Sequence, residues 1–185
     1  MYKALYTKID QLLATRPKVL LAIDGPCGGG KTTLAAELKR TYDCNVLPMD
    51  HFFLRPEQRT AARLVEPGGN VDYERFLAEG LTPLKAGEAF TYRPFDCAKG
   101  DFGAEIAVPP RPLNVVEGTY SLHPTLTDAY HIKVFLRLAP AEQLRRIAGR
   151  NGENLLERFE TEWIPMEKRY FAHFDVENQC EFVFG

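Results

Sequence analysis

The sequence predicts an α/β fold in which a five-stranded parallel sheet is covered by helices on both faces. Short apolar runs of strand length alternate with segments that show the periodicity of amphipathic helices. The apolar run at residues 19–23 leads directly into a glycine-rich loop, and a helix-forming run at 34–40 follows that loop. Strands that alternate with helices in this way pair in parallel, and ligands bind at the carboxyl ends of the strands.

Each predicted strand is a short apolar run bounded by turn or loop residues. The predicted strands are residues 18–23, 45–49, 113–116, 131–138 and 181–184. A helix at residues 2–14 places Leu5, Ile9 and Leu12 on one face, and Pro17 ends it. The helix after the glycine-rich loop is expected to extend to about residue 42.

The 185 residues are expected to form one domain. A long excursion at about residues 54–112 separates the second strand from the third and is rich in Gly, Pro and aromatic residues. It contains a helix candidate at 73–79, and we expect Pro83, Pro94 and Pro109–Pro110 to interrupt regular structure. Because such long excursions in compact folds commonly carry function, we expect this insertion to bind the substrate.

The composition is typical of a soluble globular protein, with 45% hydrophobic and 26% charged residues. A net charge of −2, with acids and bases interspersed, predicts no nucleic-acid partner. Neither a membrane-spanning run nor a signal-peptide core is visible, so no membrane partner is expected. Cys27, Cys44, Cys97 and Cys180 lie far apart, which favours free thiols in a reducing cytoplasm. The sequence leaves a homo-oligomer open.

Residues 25–33 read Gly-Pro-Cys-Gly-Gly-Gly-Lys-Thr-Thr, which matches the phosphate-binding pattern G-x-x-x-x-G-K-T between a strand and a helix. Glycines let successive backbone N–H groups surround an anion, and the following helix adds its N-terminal donors. The alternative is a tight glycine turn that holds no ligand. The residues predicted to bind the nucleotide are Gly25, Cys27, Gly28, Gly29, Gly30, Lys31, Thr32 and Thr33.

Two side chains of this loop have predicted roles in binding Mg·ATP. Lys31 is expected to reach the outer phosphates, and the Thr32 hydroxyl is expected to help hold Mg²⁺. Cys27 lies beside a helix N-terminus, where a thiolate is favoured, so that oxidation could block the site. The other interpretation of Cys27 is a small residue that fills space.

Two acidic residues follow the second and third predicted strands. Asp50 leads into the insertion, and we predict that it is the general base that takes the proton from an acceptor hydroxyl. The alternative for Asp50 is a helix or turn cap. Glu117 is predicted to act as a Walker-B-type acid that holds Mg²⁺ or its waters, with a structural ion pair as the alternative.

Four segments, taken together, resemble the uridine kinase and phosphoribulokinase family and occur in the order seen there. They are Gly25 to Thr33, Met49-Asp50-His51-Phe52-Phe53, Gly69-Asn70-Val71-Asp72-Tyr73-Glu74-Arg75-Phe76, and Val115-Val116-Glu117-Gly118-Thr119-Tyr120. The resemblance implies a nucleoside-monophosphate-kinase-like P-loop fold and Mg·ATP-dependent phosphorylation of an alcohol. The acceptor would be a nucleoside, uridine-like, or a related metabolite. It also implies that Asp50 is the base.

The resemblance further implies substrate contacts in the insertion. Asp72 would lie near the acceptor sugar, with a turn-forming role as the alternative. Tyr92 and Arg93 stand in the segment that lines the base pocket of uridine–cytidine kinases, and core packing is the alternative for Tyr92. The histidine and arginine that should follow are replaced by residues 98–101, Ala-Lys-Gly-Asp. His51, adjacent to the predicted base, either orients the substrate or is an ordinary loop residue.

A basic cluster follows the fourth predicted strand. Arg146 and Arg150 share one face of a predicted helix, and the resemblance places them at the start of a short lid, about residues 145–160. There they would neutralise charge on the transferring phosphoryl group. The alternative is a solvated basic face in which Glu142 pairs with Arg146. Arg158 and Arg169 are further lid candidates.

The leading functional prediction is therefore a small-molecule kinase that uses ATP and Mg²⁺. A nucleotide-dependent switch or motor is the second hypothesis, although the N-K-x-D and L-S-G-G-Q signatures are missing from the sequence. A third hypothesis is an ATP-binding module that has lost catalysis. The retention of Lys31, Thr32, Asp50 and Glu117 argues against it.

Overall fold

The computed structural model describes residues 1–185, except for the side chains of Asn151 and Asn154. Helices separate the five strands at 19–24, 44–48, 113–117, 132–136 and 182–184, as the sequence predicts, whereas four short strands within 90–108 follow one another without a helix. The strands are β1 (Val19–Asp24), β2 (Cys44–Pro48), β3 (Phe90–Tyr92), β4 (Phe95–Asp96), β5 (Asp101–Phe102), β6 (Ile106–Val108), β7 (Leu113–Glu117), β8 (Ile132–Leu136) and β9 (Phe182–Phe184).

Helices precede β1 and lie between β1 and β2, between β2 and β3, between β7 and β8, and between β8 and β9, and most are short. They are α1 (Lys3–Thr15), α2 (Lys31–Thr41), α3 (Ala61–Val65), α4 (Tyr73–Phe76), α5 (Thr82–Ala86), α6 (Pro124–Thr127), α7 (Pro140–Asn151), α8 (Glu153–Arg158) and α9 (Ile164–Phe174). Within the described part of the chain, no helix has both the length and the apolar character needed to cross a membrane.

The central sheet has five parallel strands in the order β2-β7-β1-β8-β9, which confirms the predicted fold class. Alternate residues of β1 face opposite sides of the sheet, since successive side chains of a strand do so. Leu21 and Ile23 pack with Leu5 of α1 and Leu34 of α2, whereas Leu20 belongs to the core on the other face. Helices therefore cover both faces, and β1 is buried along its whole length.

The segment between β2 and β7 forms a small layer of its own beside the sheet. Its two antiparallel pairs are β3 with β6 and β4 with β5, and α3, α4 and α5 precede them. Phe53 forms an isolated antiparallel bridge with Val71, which fixes the start of the segment against its middle. The side chains of Phe52, Phe76 and Tyr92 join the core beneath the sheet.

The prediction that Pro83 interrupts the helical segment is wrong. Backbone helix runs from α4 into α5 through a π-helical turn at Leu77–Leu81, in which the Thr82 N–H donates to the Leu77 carbonyl. A proline removes one N–H and crowds the carbonyl four residues earlier. The wider turn removes that conflict and leaves Pro83 in the first turn of α5, where its missing N–H needs no acceptor.

A second π-helical turn at Phe159–Trp163 joins α8 to α9 in the same way. The Ile164 N–H donates to the Phe159 carbonyl, and Pro165 lies in the first turn of α9. Insertions of this kind are frequent at functional sites. The second turn contributes Phe159 and Trp163 to the cavity described below.

A buried carboxylate at the end of β1 ties three parts of the chain together. Asp24 is fully buried and accepts hydrogen bonds from the Gly25 N–H at 2.7 Å, the Tyr120 N–H at 3.2 Å and the Leu122 N–H at 2.9 Å. The Tyr170 hydroxyl of α9 donates to it at 2.8 Å. Burial is the largest influence on Asp24 and raises the pKa of its carboxyl. These bonds fix the exits of β1 and β7 relative to α9.

We predict that Asp24→Ala lowers the free energy of unfolding by at least about 3 kcal/mol, because it leaves three buried backbone donors without an acceptor. Tyr170→Phe is the matched variant, since it removes one donor and keeps the ring, and it should cost only about 1 kcal/mol. Urea unfolding at neutral pH measures both values. Equal losses in the two variants would show that the carboxylate does not organise these segments.

Candidate active site

The register of the central strands brings the predicted catalytic elements to one edge of the sheet. Glu117, the last residue of β7, pairs with Ile23 of β1 on one side and with Pro48 of β2 on the other. The glycine-rich loop begins two residues after Ile23, and Asp50 stands two residues after Pro48. The loop and the two carboxylates therefore meet at the carboxyl ends of three adjacent strands.

The glycine-rich loop has the backbone that an anion cradle needs. Gly25 has φ +139°, and a Cβ at this position would collide with the Leu136 carbonyl of β8. Gly30 has φ +90° and caps the N-terminus of α2 without any side-chain hydrogen bond. The first N–H groups of α2 have no acceptor within the helix, so they stay available to a phosphate.

Lys31 lies against this loop and is 8% exposed. Its ammonium donates to the carbonyls of Gly25 at 2.7 Å and Pro26 at 2.9 Å, and to the Thr119 hydroxyl at 3.2 Å. The Thr119 hydroxyl also donates to the Gly25 carbonyl at 2.9 Å. Thr119 is a site residue that sequence reasoning missed, although it stands two residues after Glu117.

Thr32 and Glu117 form a hydroxyl–carboxylate pair at the head of α2. The Thr32 hydroxyl donates to Glu117 Oε1 at 3.2 Å. Burial raises the pKa of Glu117, and the Asp50 charge adds to this, while Lys31 opposes it. Hydroxyl and carboxylate oxygens are the ligand types that Mg²⁺ takes, so this donor set fits the ion predicted from the sequence.

Asp50 lies in a 3₁₀ turn, Met49–Phe52, directly after β2. Its carboxylate is exposed and lines the cavity. The cap alternative does not describe this geometry, because the turn has no side-chain cap. Among the described residues, no hydrogen bond or ion pair engages the Asp50 carboxylate, which leaves it available to a ligand.

These groups surround a cavity of about 870 Å³. The glycine-rich loop forms one part of its wall, and residues of the insertion and of α7–α9 form the rest. The insertion contributes the apolar side chains Phe53, Leu54 and Phe95 and the polar side chains Arg59 and Asn70. Such a mixture of apolar walls with a few polar groups is typical of small-molecule sites.

The two predicted lid arginines line the same cavity and contact the loop. Arg146 donates to the Gly28 carbonyl at 3.0 Å and to the Glu142 carboxylate at 2.7 Å. It therefore contacts the loop and also forms the ion pair with Glu142 that the alternative interpretation expected. Arg150 donates to the Cys27 sulfur at 3.2 Å. Of the further candidates, Arg158 lines the cavity, whereas Arg169 donates to the Leu64 carbonyl away from it. The Asn151 side chain, in the expected lid, lies outside the described residues.

A carboxylate that sequence reasoning missed, Glu167, holds the loop from α9. Both its oxygens accept the Cys27 N–H at 3.2 Å, and the Gln143 amide donates to Oε2 at 3.1 Å. Burial, the largest influence, raises the pKa of Glu167 to about 7. An acidic residue three positions before Tyr170, on the apolar face of a helix, was the available signal.

The structure favours the space-filling interpretation of Cys27 over the thiolate one. Burial and the Glu167 charge raise the pKa of this thiol, and Arg150 only partly offsets them. A helix N-terminus favours a thiolate when solvent reaches the sulfur. Here the Cys27 side chain is only partly exposed, and the space-filling interpretation describes it better.

Comparison with known proteins identifies the family. The chain is 30% identical over 174 residues to a Schizosaccharomyces pombe protein named "Putative uridine kinase", and the match covers 81% of this chain and 73% of that protein. The chain belongs to the uridine kinase-like family of P-loop kinases. No model of a known protein family matches the chain.

Solved structures share the fold of this uridine kinase-like chain at lower sequence identity. One described as a putative fructose transport system kinase from Silicibacter sp. TM1040 matches with a TM-score of 0.77 and 23% identity, covering 100% of this chain and 99% of that one. A possible uridine kinase from Bacillus stearothermophilus matches with a TM-score of 0.63 and 20% identity, covering 98% and 100%. A D-glycerate 3-kinase from Cryptococcus neoformans matches at 0.61 and 14%, covering 88% and 84%.

The residues that the family resemblance assigned to the substrate do not line the cavity. Asp72 is 4% exposed, and its two oxygens accept the Arg75 N–H at 2.9 Å and the Gln58 amide at 2.7 Å. It is the N-cap of α4, so the turn-forming alternative describes it. The capping bonds occupy the carboxylate that was expected near an acceptor sugar.

Tyr92 and Arg93 of the segment expected to line a base pocket do not line the cavity either, whereas Phe95 and Cys97 of the same segment do. Tyr92 is 4% exposed, and its hydroxyl lies 2.8 Å from His51 Nδ1, so the two side chains hydrogen-bond to each other. Arg93 donates to the carbonyls of Gly103 at 2.8 Å and Phe102 at 3.0 Å. These contacts correct the expectation that Tyr92, Arg93 and His51 face the substrate: they hold the β4–β5 pair and the Asp50 turn.

The raised pKa of Glu167 makes a pH prediction for this family member. Between its ordinary value of 4.5 and about 7, the folded protein binds the proton more tightly than the unfolded chain does. The free energy of unfolding should therefore fall as pH rises through this window, by up to about 3 kcal/mol. Glu167→Gln should remove this component.

Urea unfolding at pH 5, 6, 7 and 8 measures the effect as the difference between the native chain and Glu167→Gln. The control is Glu160→Gln, an exposed carboxylate on the adjoining turn, which should keep the native slope. Parallel pH curves for the native chain and Glu167→Gln would exclude a carboxyl that titrates near neutrality.

Proposed function

We propose that this protein transfers the γ-phosphoryl group of Mg·ATP to a hydroxyl of a small metabolite, a nucleoside such as uridine or a related alcohol. The observation that carries the proposal is the meeting of three groups on one cavity wall. These are the glycine-rich loop with Lys31, the Thr32–Glu117 pair and the unengaged carboxylate of Asp50. A phosphate cradle and a free base beside it are the parts that phosphoryl transfer to an alcohol requires.

The roles of the chain's own residues follow from this geometry. The loop N–H groups and Lys31 bind the phosphates, and Arg146 and Arg150 add positive charge from α7. Asp50 takes the proton of the acceptor hydroxyl as its oxygen forms a new bond to the γ-phosphorus. The bond from that phosphorus to the β–γ bridging oxygen breaks, and ADP leaves with the electron pair. Mg²⁺, held by Thr32 and Glu117, would neutralise phosphate charge.

Lys31 and Glu167 prepare the loop for this ligand in different ways. The ammonium of Lys31 already lies at the loop carbonyls and needs only to turn toward a phosphate. Glu167 fixes the Cys27 N–H, and therefore the course of the loop, from a helix more than a hundred residues away along the chain. Positioning of this kind supplies much of the rate in reactions with little covalent chemistry.

The test of the function is ADP release from Mg·ATP in the presence of a panel of nucleosides and small alcohols. A kinase releases ADP faster when its acceptor is present, whereas a nucleotide switch hydrolyses ATP at one rate throughout. Product analysis by mass spectrometry should find the added phosphoryl group on the stimulating alcohol. A rate that no acceptor changes would contradict the proposal.

We predict that Asp50→Asn lowers acceptor-dependent turnover by roughly 10²- to 10⁴-fold, because the amide cannot take the hydroxyl proton. ATP binding should stay within about twofold, since Asp50 lies beyond the loop. Asp128→Asn is the control, because it removes an exposed carboxylate that does not line the cavity. Full turnover in Asp50→Asn would remove Asp50 as the base.

We also predict that Lys31→Ala weakens nucleotide binding or turnover by roughly 100-fold or more, because it removes a cation that meets the phosphates. The matched control is Lys39→Ala, which deletes an exposed ammonium from the same helix. Isothermal titration with ATP and steady-state kinetics separate the binding and turnover effects. Unchanged values for Lys31→Ala would exclude the phosphate-loop assignment.

A further inference from the structure

One cation of the insertion lines the cavity, and its contacts among the described residues do not include the phosphate loop. The described residues of the segment 53–100 that line the cavity include one charged side chain, that of Arg59. It follows the 3₁₀ turn Pro56–Gln58, and its N–H donates to the Pro56 carbonyl, which fixes its backbone. The arginines that contact the phosphate loop, Arg146 and Arg150, come instead from α7.

The charge of Arg59 is only partly compensated. Its Nη2 lies 3.5 Å from Glu162 Oε1, while Arg158 takes the other oxygen of the same carboxylate at 2.8 Å. Two guanidinium groups therefore share one carboxylate, and Arg158 holds the shorter contact. The Arg59 side chain is 28% exposed, so water solvates it incompletely. A partly buried cation with a surplus of charge is an attractive site for an anion.

Arg59, Asp50 and Cys97 all line this cavity. Burial raises the pKa of the Cys97 thiol, the Arg59 charge lowers it and the Asp50 charge raises it. The neighbouring walls, Phe53 and Phe95, are apolar. Phe53 and Phe95 offer no donors or acceptors to the edge of a nucleobase, and the polar side chains that the insertion adds to this wall are Arg59, Asn70 and Cys97.

We propose that the acceptor is a small alcohol that also carries an anionic oxygen group, and that Arg59 binds this group while the hydroxyl faces Asp50. The anionic group is a carboxylate or a phosphate ester, since a guanidinium binds either through paired N–H donors. The inference rests on the proposed kinase function and narrows its acceptor. The reacting bonds are those given above, and the anionic group takes no part in bond making or breaking.

The competing explanation is a structural one, in which Arg59 and Glu162 connect the insertion to the turn between α8 and α9. The two explanations differ in what Glu162 does. If Arg59 acts only through the ion pair, removing Arg59 or Glu162 raises the KM for the acceptor by the same amount. If Arg59 binds an anionic acceptor, Glu162 competes with that acceptor, and its removal leaves acceptor binding unchanged or makes it tighter.

The acceptor arm of the test uses probes that differ mainly in charge. Glycerate and glycerol 3-phosphate carry the two anionic groups, and glycerol and uridine are neutral; a wider set of hydroxy acids, sugar phosphates and nucleosides extends each class. ADP release with saturating Mg·ATP ranks them. We expect stimulation by acidic alcohols, and the better of the carboxylate and phosphate sets identifies the anionic group.

The variant arm uses the best acidic acceptor. Arg59→Gln should raise the KM for this acceptor by about tenfold or more, while the KM for ATP stays unchanged. Arg59→Lys should recover part of the loss, because it keeps the charge but not the paired donors. Glu162→Gln should leave the acceptor KM unchanged or lower it. Arg55→Gln, an arginine four residues earlier that does not line the cavity, should behave like the native enzyme.

The outcomes separate this inference from the function on which it rests. Turnover with a neutral acceptor only, or an acceptor KM that Arg59→Gln leaves unchanged, overturns the anionic acceptor and leaves a kinase. Equal increases in acceptor KM for Arg59→Gln and Glu162→Gln overturn it in favour of the structural ion pair. ATP binding without stimulation by any member of either class removes the kinase function itself, and the inference with it.

Discussion

The placement of the candidate site depends on one buried carboxylate. Asp24 ends the central strand and accepts hydrogen bonds from the start of the glycine-rich loop, from the chain after β7 and from α9. A buried carboxylate is costly unless hydrogen bonds surround it, so these segments are held where they can reach it. The loop, the exit of Glu117 and the helix that carries Glu167 thus share one anchor. These anchored segments form one part of the cavity wall, and the insertion together with α7 and α8 forms much of the rest.

The catalytic edge of the sheet could be predicted from the sequence because its determinants are local. Each strand is an apolar run, each run ends at a polar residue or glycine, and parallel strands place their carboxyl ends together. These rules led to the five parallel strands and to the expectation that the loop, Asp50 and Glu117 lie together. The register then places Glu117 between β1 and β2, which no local pattern specifies.

The insertion could not be predicted as well, because its side chains are decided by contacts distant along the chain. Asp72 caps its own helix and binds Gln58, and Tyr92 binds His51, so polar groups that looked available are used internally. Glu167 meets Cys27 across 140 residues. Pro83 looked like a helix break because its π-helical turn depends on packing that the local sequence does not reveal.

The carbonyl contacts of Lys31 have a consequence for the end of the catalytic cycle. A buried ammonium that lost its phosphate and found no other acceptor would make product departure expensive. Here the oxygens of Gly25, Pro26 and Thr119 lie within hydrogen-bond distance of the ammonium. In the proposed reaction, the lysine would exchange one set of oxygen partners for another when the nucleoside diphosphate dissociates. The contacts that would compete with ATP for this cation would then also ease the departure of ADP.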